Sequence, residues 1–188
     1  AYPRKAAREA KVHTSWLQPD AAYEAAHAAF VRGQADPARS PRFLADFRPL
    51  AARLAWYGGL NSLVLMALKF TSAGVPDVYQ GSEWIDLSLV DPDNRRPVDY
   101  ALRAQTLDAL DALADSAGEA LPERVGALLT PERLPQAKLW AVSRLLRLRA
   151  DHWPVLRDAP HEALEVVGPA ATATIAYRRA TPQGQIGR

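Results

Sequence analysis

Cysteine is absent from all 188 residues, which excludes both a disulfide and a thiolate metal site. Methionine occurs once, at Met66, and lysine four times against nineteen arginines. That imbalance, set among abundant alanines, reads as genomic base-composition bias and not as a basic patch. With 23 basic and 21 acidic residues the formal charge is only +2, so neither sign dominates enough to predict nucleic-acid or membrane binding. Long apolar runs are missing too. The longest, Leu60 to Phe70, is interrupted by Asn61, Ser62 and Lys69 and is much too short to span a bilayer. No signal-peptide pattern opens the chain. We therefore expect a cytoplasmic protein that engages neither nucleic acid nor membrane.

What is present is mostly helical periodicity. Residues 1–16 read as the end of a helix followed by a turn. Asp20 then supplies an N-cap for a helix from Ala21 to Gly33. Apolar residues at 43, 44, 47, 50, 51, 54 and 55 form a helix stripe, Gly58-Gly59 punctuates it, and Leu60–Phe70 resumes as a second, nearly all-apolar helix. A buried strand is expected at Val75–Gln80, and a helix from Asp99 to Ala114. Leu121–Pro135 reads as a link, and Gln136–His152 as an amphipathic helix ended by Pro154. Its arginines 144, 147 and 149 are expected on a solvated face, with Leu139, Trp140, Val142, Leu145, Leu146 and Leu148 inside. Two strand candidates follow, Ala163–Val167 and Ala171–Tyr177, with Gly168-Pro169 turning between them.

The most informative stretch is Lys69 to Tyr100, KFTSAGVPDVYQGSEWIDLSLVDPDNRRPVDY. The expected strand breaks at Gly81 and delivers Gln80, Glu83 and Trp84 to its carboxyl end. A second polar cluster follows, Asp91-Pro92-Asp93-Asn94-Arg95-Arg96-Pro97. Hydroxyl-rich ligands need donors and acceptors, and sugar faces need flat apolar surfaces, so carboxylates, amides, arginines and rings gathered after a strand suit a carbohydrate. GVPDVYQGSE resembles the motif around the last barrel strand of the α-amylase superfamily. Two longer blocks, DLSLVDPDNRRPVDY and Lys5–Trp16 (KAAREAKVHTSW), are similar to maltooligosyl trehalose synthases.

That resemblance implies an isomerase that turns the reducing-end α-1,4 linkage of a maltooligosaccharide into an α,α-1,1 linkage, without a cofactor. It also implies a (β/α)8 barrel. Such synthases are several times longer than 188 residues. We accordingly expect a mainly α carboxyl-terminal piece of one, partnered by maltooligosaccharide and by the remainder of its own polypeptide. Residues 1–115 would hold the last barrel strand and its flanking helices, 116–160 a helical link, and 161–188 the start of a terminal β-sandwich.

The family's catalytic carboxylates lie on earlier barrel strands whose motifs do not occur here. No catalytic residue is therefore assigned, and the piece alone is expected to be inactive. Glu83 and Asp86 are not read as a catalytic pair. Substrate binding is assigned to Asp91, Asp93, Asn94, Arg95, Arg96, Gln80, Glu83 and Trp84. For 91–97 the competing reading is a self-bonded turn; for Glu83 it is a loop-holding carboxylate that takes backbone amides or an arginine. No metal ligands are expected, since His13 has no second ligand at suitable spacing. Two other classes remain open: another glucanotransferase or hydrolase of the superfamily, which would share the strand motif but not VDPDNRRPVD, and a non-catalytic helical binding module.

Overall fold

In the computed structural model, residues 2–89, 95–181 and 184–186 are described. In chain order the elements are α1 (Tyr2–Ala10), α2 (Ala21–Ala35), α3 (Pro41–Thr71), α4 (Tyr100–Ala117), α5 (Leu121–Gly126), α6 (Leu134–Asp151), α7 (Trp153–Asp158), β1 (His161–Ala163), β2 (Tyr177–Thr181) and β3 (Gly184–Ile186). The chain divides into two compact units, Ala1–Gly58 with Asp86–Val98, and Gly59–Ile85 with Asp99–Arg188.

Local chemistry sets most helix starts. Asp20 caps α2 by accepting the Tyr23 amide at 2.9 Å, and Asp99 caps α4 by accepting the Leu102 amide at 2.9 Å. Proline stands first in α3, where its missing N–H costs nothing. Pro154 stands second in α7, within the first turn where its missing N–H is also harmless, and the α6–α7 break falls just before it.

Gly58-Gly59 does not interrupt the helix: α3 runs unbroken for 31 residues, through Pro49 as well. The reason at Gly59 is contact. A Cβ there would stand 2.0 Å from Cδ2 of the buried Leu134, so glycine lets α3 and the start of α6 approach closely.

In the first unit, α1 and α2 pack together, and Thr14, Gly33 and Leu44 are buried. The core of the second unit gathers Leu110, Leu128 and Ala137, with Trp140 packed against them. Phe70, Leu156 and Arg179 are almost wholly enclosed.

Four expectations are corrected in this unit. First, Val75–Gln80 forms no strand, and Val75 is 87% exposed. A parallel strand needs a ladder partner, and the described strands are committed to one another in an antiparallel sheet of order β1-β2-β3. Second, that sheet is offset from the expected hairpin. His161 pairs with Arg179 and Ala163 with Tyr177, while Ala171–Ala173 is a 3-10 turn. Third, Arg149 is buried instead of solvated. Its guanidinium donates to the carbonyls of Phe70 (2.7 Å), Ser72 (3.2 Å) and Gly74, closing the carboxyl end of α3. Arg179 likewise donates to the carbonyls of Leu156 (3.0 Å), Ala159 and Thr71 (2.9 Å). Arg147, by contrast, does sit toward solvent, while Arg144 is only partly exposed with its Nε buried; they share Asp111 at 2.5 and 3.0 Å respectively. Fourth, Leu146 is exposed where it was expected inside.

Candidate functional site

The candidate residues divide between the two units. In the second, α3 ends at Thr71 and the chain runs irregularly to Tyr79, then makes consecutive turns through Trp84. The Ser82 amide donates to the Tyr79 carbonyl at 2.9 Å and the Trp84 amide to the Gly81 carbonyl at 3.2 Å. Gly81 is buried at φ +91°, a left-handed conformation that a side chain would resist.

Glu83 ties this loop down. One carboxylate oxygen accepts the Gly81 amide at 2.9 Å and the other accepts Nε of Arg103 on α4. Arg103 also donates to the Asp99 carbonyl at 3.0 Å and lies over the Trp84 ring, 5.4 Å from its centroid. The loop-holding role expected of Glu83 is therefore met by both kinds of donor at once. Arg103 was not recognised from sequence. Its position one helical turn after the Asp99 cap was the available signal.

Gln80 and Glu83 line a cavity of about 580 Å³ with Val78, Tyr100, Leu139 and Arg147. It is a wide-open, mostly apolar depression with a few polar groups at its rim. Gln80 is exposed at its edge, and Trp84 is half-buried.

In the first unit, Asp86 accepts the Ser88 amide at 2.9 Å and the Ser88 hydroxyl at 2.6 Å, and the Ser88 hydroxyl in turn accepts Nη2 of Arg96 at 3.0 Å. Arg95 and Arg96 are both exposed. Asp91, Asp93 and Asn94 lie outside the described residues.

The Lys5–Trp16 block builds a second polar network in the same unit. Glu24 of α2 receives Arg8 of α1 through two bonds, 2.7 and 2.8 Å, and the Thr14 hydroxyl at 2.7 Å. Thr14 is buried and accepts the Asp20 amide at 3.0 Å. The Arg8 bond, with the Thr14 bond second, holds the Glu24 carboxyl down at about 2. Trp16 donates its indole N–H to Glu9 at 2.9 Å, and Arg8 lies 4.9 Å from its ring centroid. Among the described residues no group of three His, Asp or Glu side chains is placed to hold a metal ion, and no helix is long and apolar enough to cross a membrane.

No family model matches the chain. A protein of Mycobacterium tuberculosis, provisionally named maltooligosyl trehalose synthase, is 35% identical over 178 residues, which is 95% of this chain and 20% of that protein. Among solved structures, the maltooligosyltrehalose synthase of Arthrobacter ramosus matches at 34% identity and a TM-score of 0.73, over 92% of this chain and 20% of that one. A hypothetical maltooligosyl trehalose synthase of Sulfolobus tokodaii matches at 26% identity and a TM-score of 0.63, over 87% and 20%. These relatives, found by sequence and by shape, are synthases of a single kind. The chain corresponds to a segment of maltooligosyl trehalose synthase and spans about 20% of the length of the curated relatives it matches.

Proposed function

We propose that the longer protein to which this segment corresponds is an intramolecular transglucosylase. It would convert the reducing-end α-1,4 linkage of a maltooligosaccharide to an α,α-1,1 linkage in the cytoplasm, without a cofactor. The observation that carries this reading is the agreement of sequence and shape with the Arthrobacter ramosus synthase across 92% of the chain. The segment would supply the last strand region of a (β/α)8 barrel and the start of a terminal β-domain. The nucleophile and acid of a retaining double displacement, about 5 Å apart, would come from outside it. Alone, the 188 residues would be inactive.

Within that reaction the segment's part is acceptor control. The cleaved glucose must be held so that its anomeric hydroxyl, and not water, attacks the glucosyl-enzyme. Orientation of this kind is where intramolecular reactions gain most. Asp91, Asp93, Asn94, Arg95 and Arg96 supply a dense set of donors and acceptors, and a guanidinium's rigid fork suits neighbouring sugar hydroxyls. Gln80, Glu83 and Trp84 would complete the binding set. Glu83 acts by fixing Arg103 and the turn at Gly81, which keeps the Trp84 ring in one orientation.

The test uses the full-length enzyme with Arg95→Ala and Arg96→Ala. The ratio of trehalosyl product to free glucose from maltopentaose should fall several-fold, because losing a fixed donor costs the acceptor about 1–3 kcal/mol of orientation while water needs none. An unchanged ratio at normal total turnover for both variants would return 91–97 to a plain turn.

A further inference from the structure

The block from Lys5 to Trp16 has no part in the function proposed above, yet it holds a half-exposed aromatic ring in the first unit. Within this segment Trp16 leaves 52% of its surface open. It is not loose. Its indole edge is pinned by Glu9, and one ring face is stacked by the Arg8 guanidinium. Arg8 in turn cannot swing away, because Glu24 holds it through two bonds and Glu24 is itself held by Thr14. Four side chains from α1, α2 and the intervening turn thus fix one ring and leave its other face free of the guanidinium.

The backbone is bent to make this possible. Lys11, directly after α1, sits at φ +56°, the single non-glycine residue with positive φ among those described. A left-handed residue with a full side chain is unfavourable and persists only where its surroundings impose it. Here it reverses the chain so that Trp16, seven residues after Glu9, returns to meet it.

We propose that Trp16 is a stacking platform for a glucose ring of an α-1,4-linked glucan. A pyranose presents a face of C–H groups, which fits the negative face of an aromatic ring. The guanidinium occupies one side, so a single sugar ring stacks on the other. A ring already immobilised loses little entropy on binding, which is where pre-organised sites gain affinity. Glu9 and Lys11, both on the surface of the same block, are of the kind that grip ring hydroxyls. The choice of an α-glucan rests on the proposed function; the platform itself rests on the geometry.

The experiment is site-resolved oxidative footprinting of Trp16 by mass spectrometry in the full-length enzyme, with maltoheptaose as probe and cellohexaose as control. Saturating maltoheptaose should slow oxidation of Trp16 several-fold, and cellohexaose should not. Trp16→Ala should raise KM for maltoheptaose about tenfold with kcat unchanged, and Trp16→Phe should recover most of the loss. The proposal is overturned if Trp16 oxidises at the same rate with and without maltoheptaose, if the free enzyme already hides it, or if both variants lower kcat and melting temperature together. Protection of Trp16 in an enzyme that forms no trehalosyl product would leave the platform standing and defeat the proposed function. Product without protection would do the reverse.

Discussion

In each unit an arginine lies over a tryptophan while a carboxylate holds the guanidinium, yet the two assemblies present their rings differently. In the second unit Glu83 stands next to Trp84 in sequence and also accepts the Gly81 amide, so the clamp closes a tight turn on itself and the ring is half-buried. In the first, the carboxylate comes from α2, sixteen residues beyond Arg8, and a separate residue, Glu9, pins the indole edge. Trp16 is consequently held from one side and left half-open. The same three residue types thus close a tight turn around a half-buried ring in one unit and hold a half-exposed ring between two helices in the other.

The strongest way to break this comparison is Glu83→Ala. It removes the acceptor of both the Gly81 amide and Arg103, and leaves a half-buried guanidinium without its carboxylate. We expect a loss of about 2–3 kcal/mol, concentrated in residues 79–84. Hydrogen exchange of that peptide in the full-length enzyme reads it directly. Unchanged protection would mean that the turn does not depend on the clamp.

Next comes a contrast between neighbours whose surroundings differ. Gly59→Ala places a Cβ against buried Leu134 and should cost about 1–3 kcal/mol. Gly58→Ala meets nothing within 4 Å and should stabilise α3 by about 0.5–1 kcal/mol. Urea denaturation of the two variants should give midpoint shifts of opposite sign. Shifts of the same sign would refute the close approach at Gly59.

The smallest effect separates the clamps by pH. Glu24 is held at about 2, below its ordinary 4.5, so its contribution is complete above the ordinary value and is lost as pH falls through the lowered one. The difference in amide protection of α1 and α2 between the native protein and Glu24→Gln should be full at pH 6 and shrink between about pH 4.5 and 2. A difference independent of pH would show that charge is not what Arg8 and Thr14 recognise.

Much of the helical architecture was legible because it depends on neighbours in sequence. Asp20 caps α2 whatever else the chain does, and apolar spacing marks α6. Glu83 was readable as a loop holder because its amide partner is two residues away. What could not be read is what depends on distant atoms. Arg149 looked like the third arginine of a solvated face, but the carboxyl end of α3 offers it carbonyls more than seventy residues earlier. Arg178 and Arg179 are adjacent and chemically identical. Alternation along β2 sends Arg178 to surface Glu162 and Arg179 into the interior, where it is 1% exposed. Gly58-Gly59 resembled a break because propensity alone cannot know that Leu134 will press against one of the pair.

The sequence by itself determined the helical character, the caps and turns, and, through GVPDVYQGSE, VDPDNRRPVD and KAAREAKVHTSW, the family to which the segment corresponds. These are properties of local spacing and of residue identity. Only the tertiary structure decided that Val75–Tyr79 would go unpaired, that two arginines would be buried on carbonyls, and that Arg8 and Glu24 would meet to fix Trp16. A strand needs a ladder and a buried charge needs acceptors, and both are supplied by residues far away along the chain.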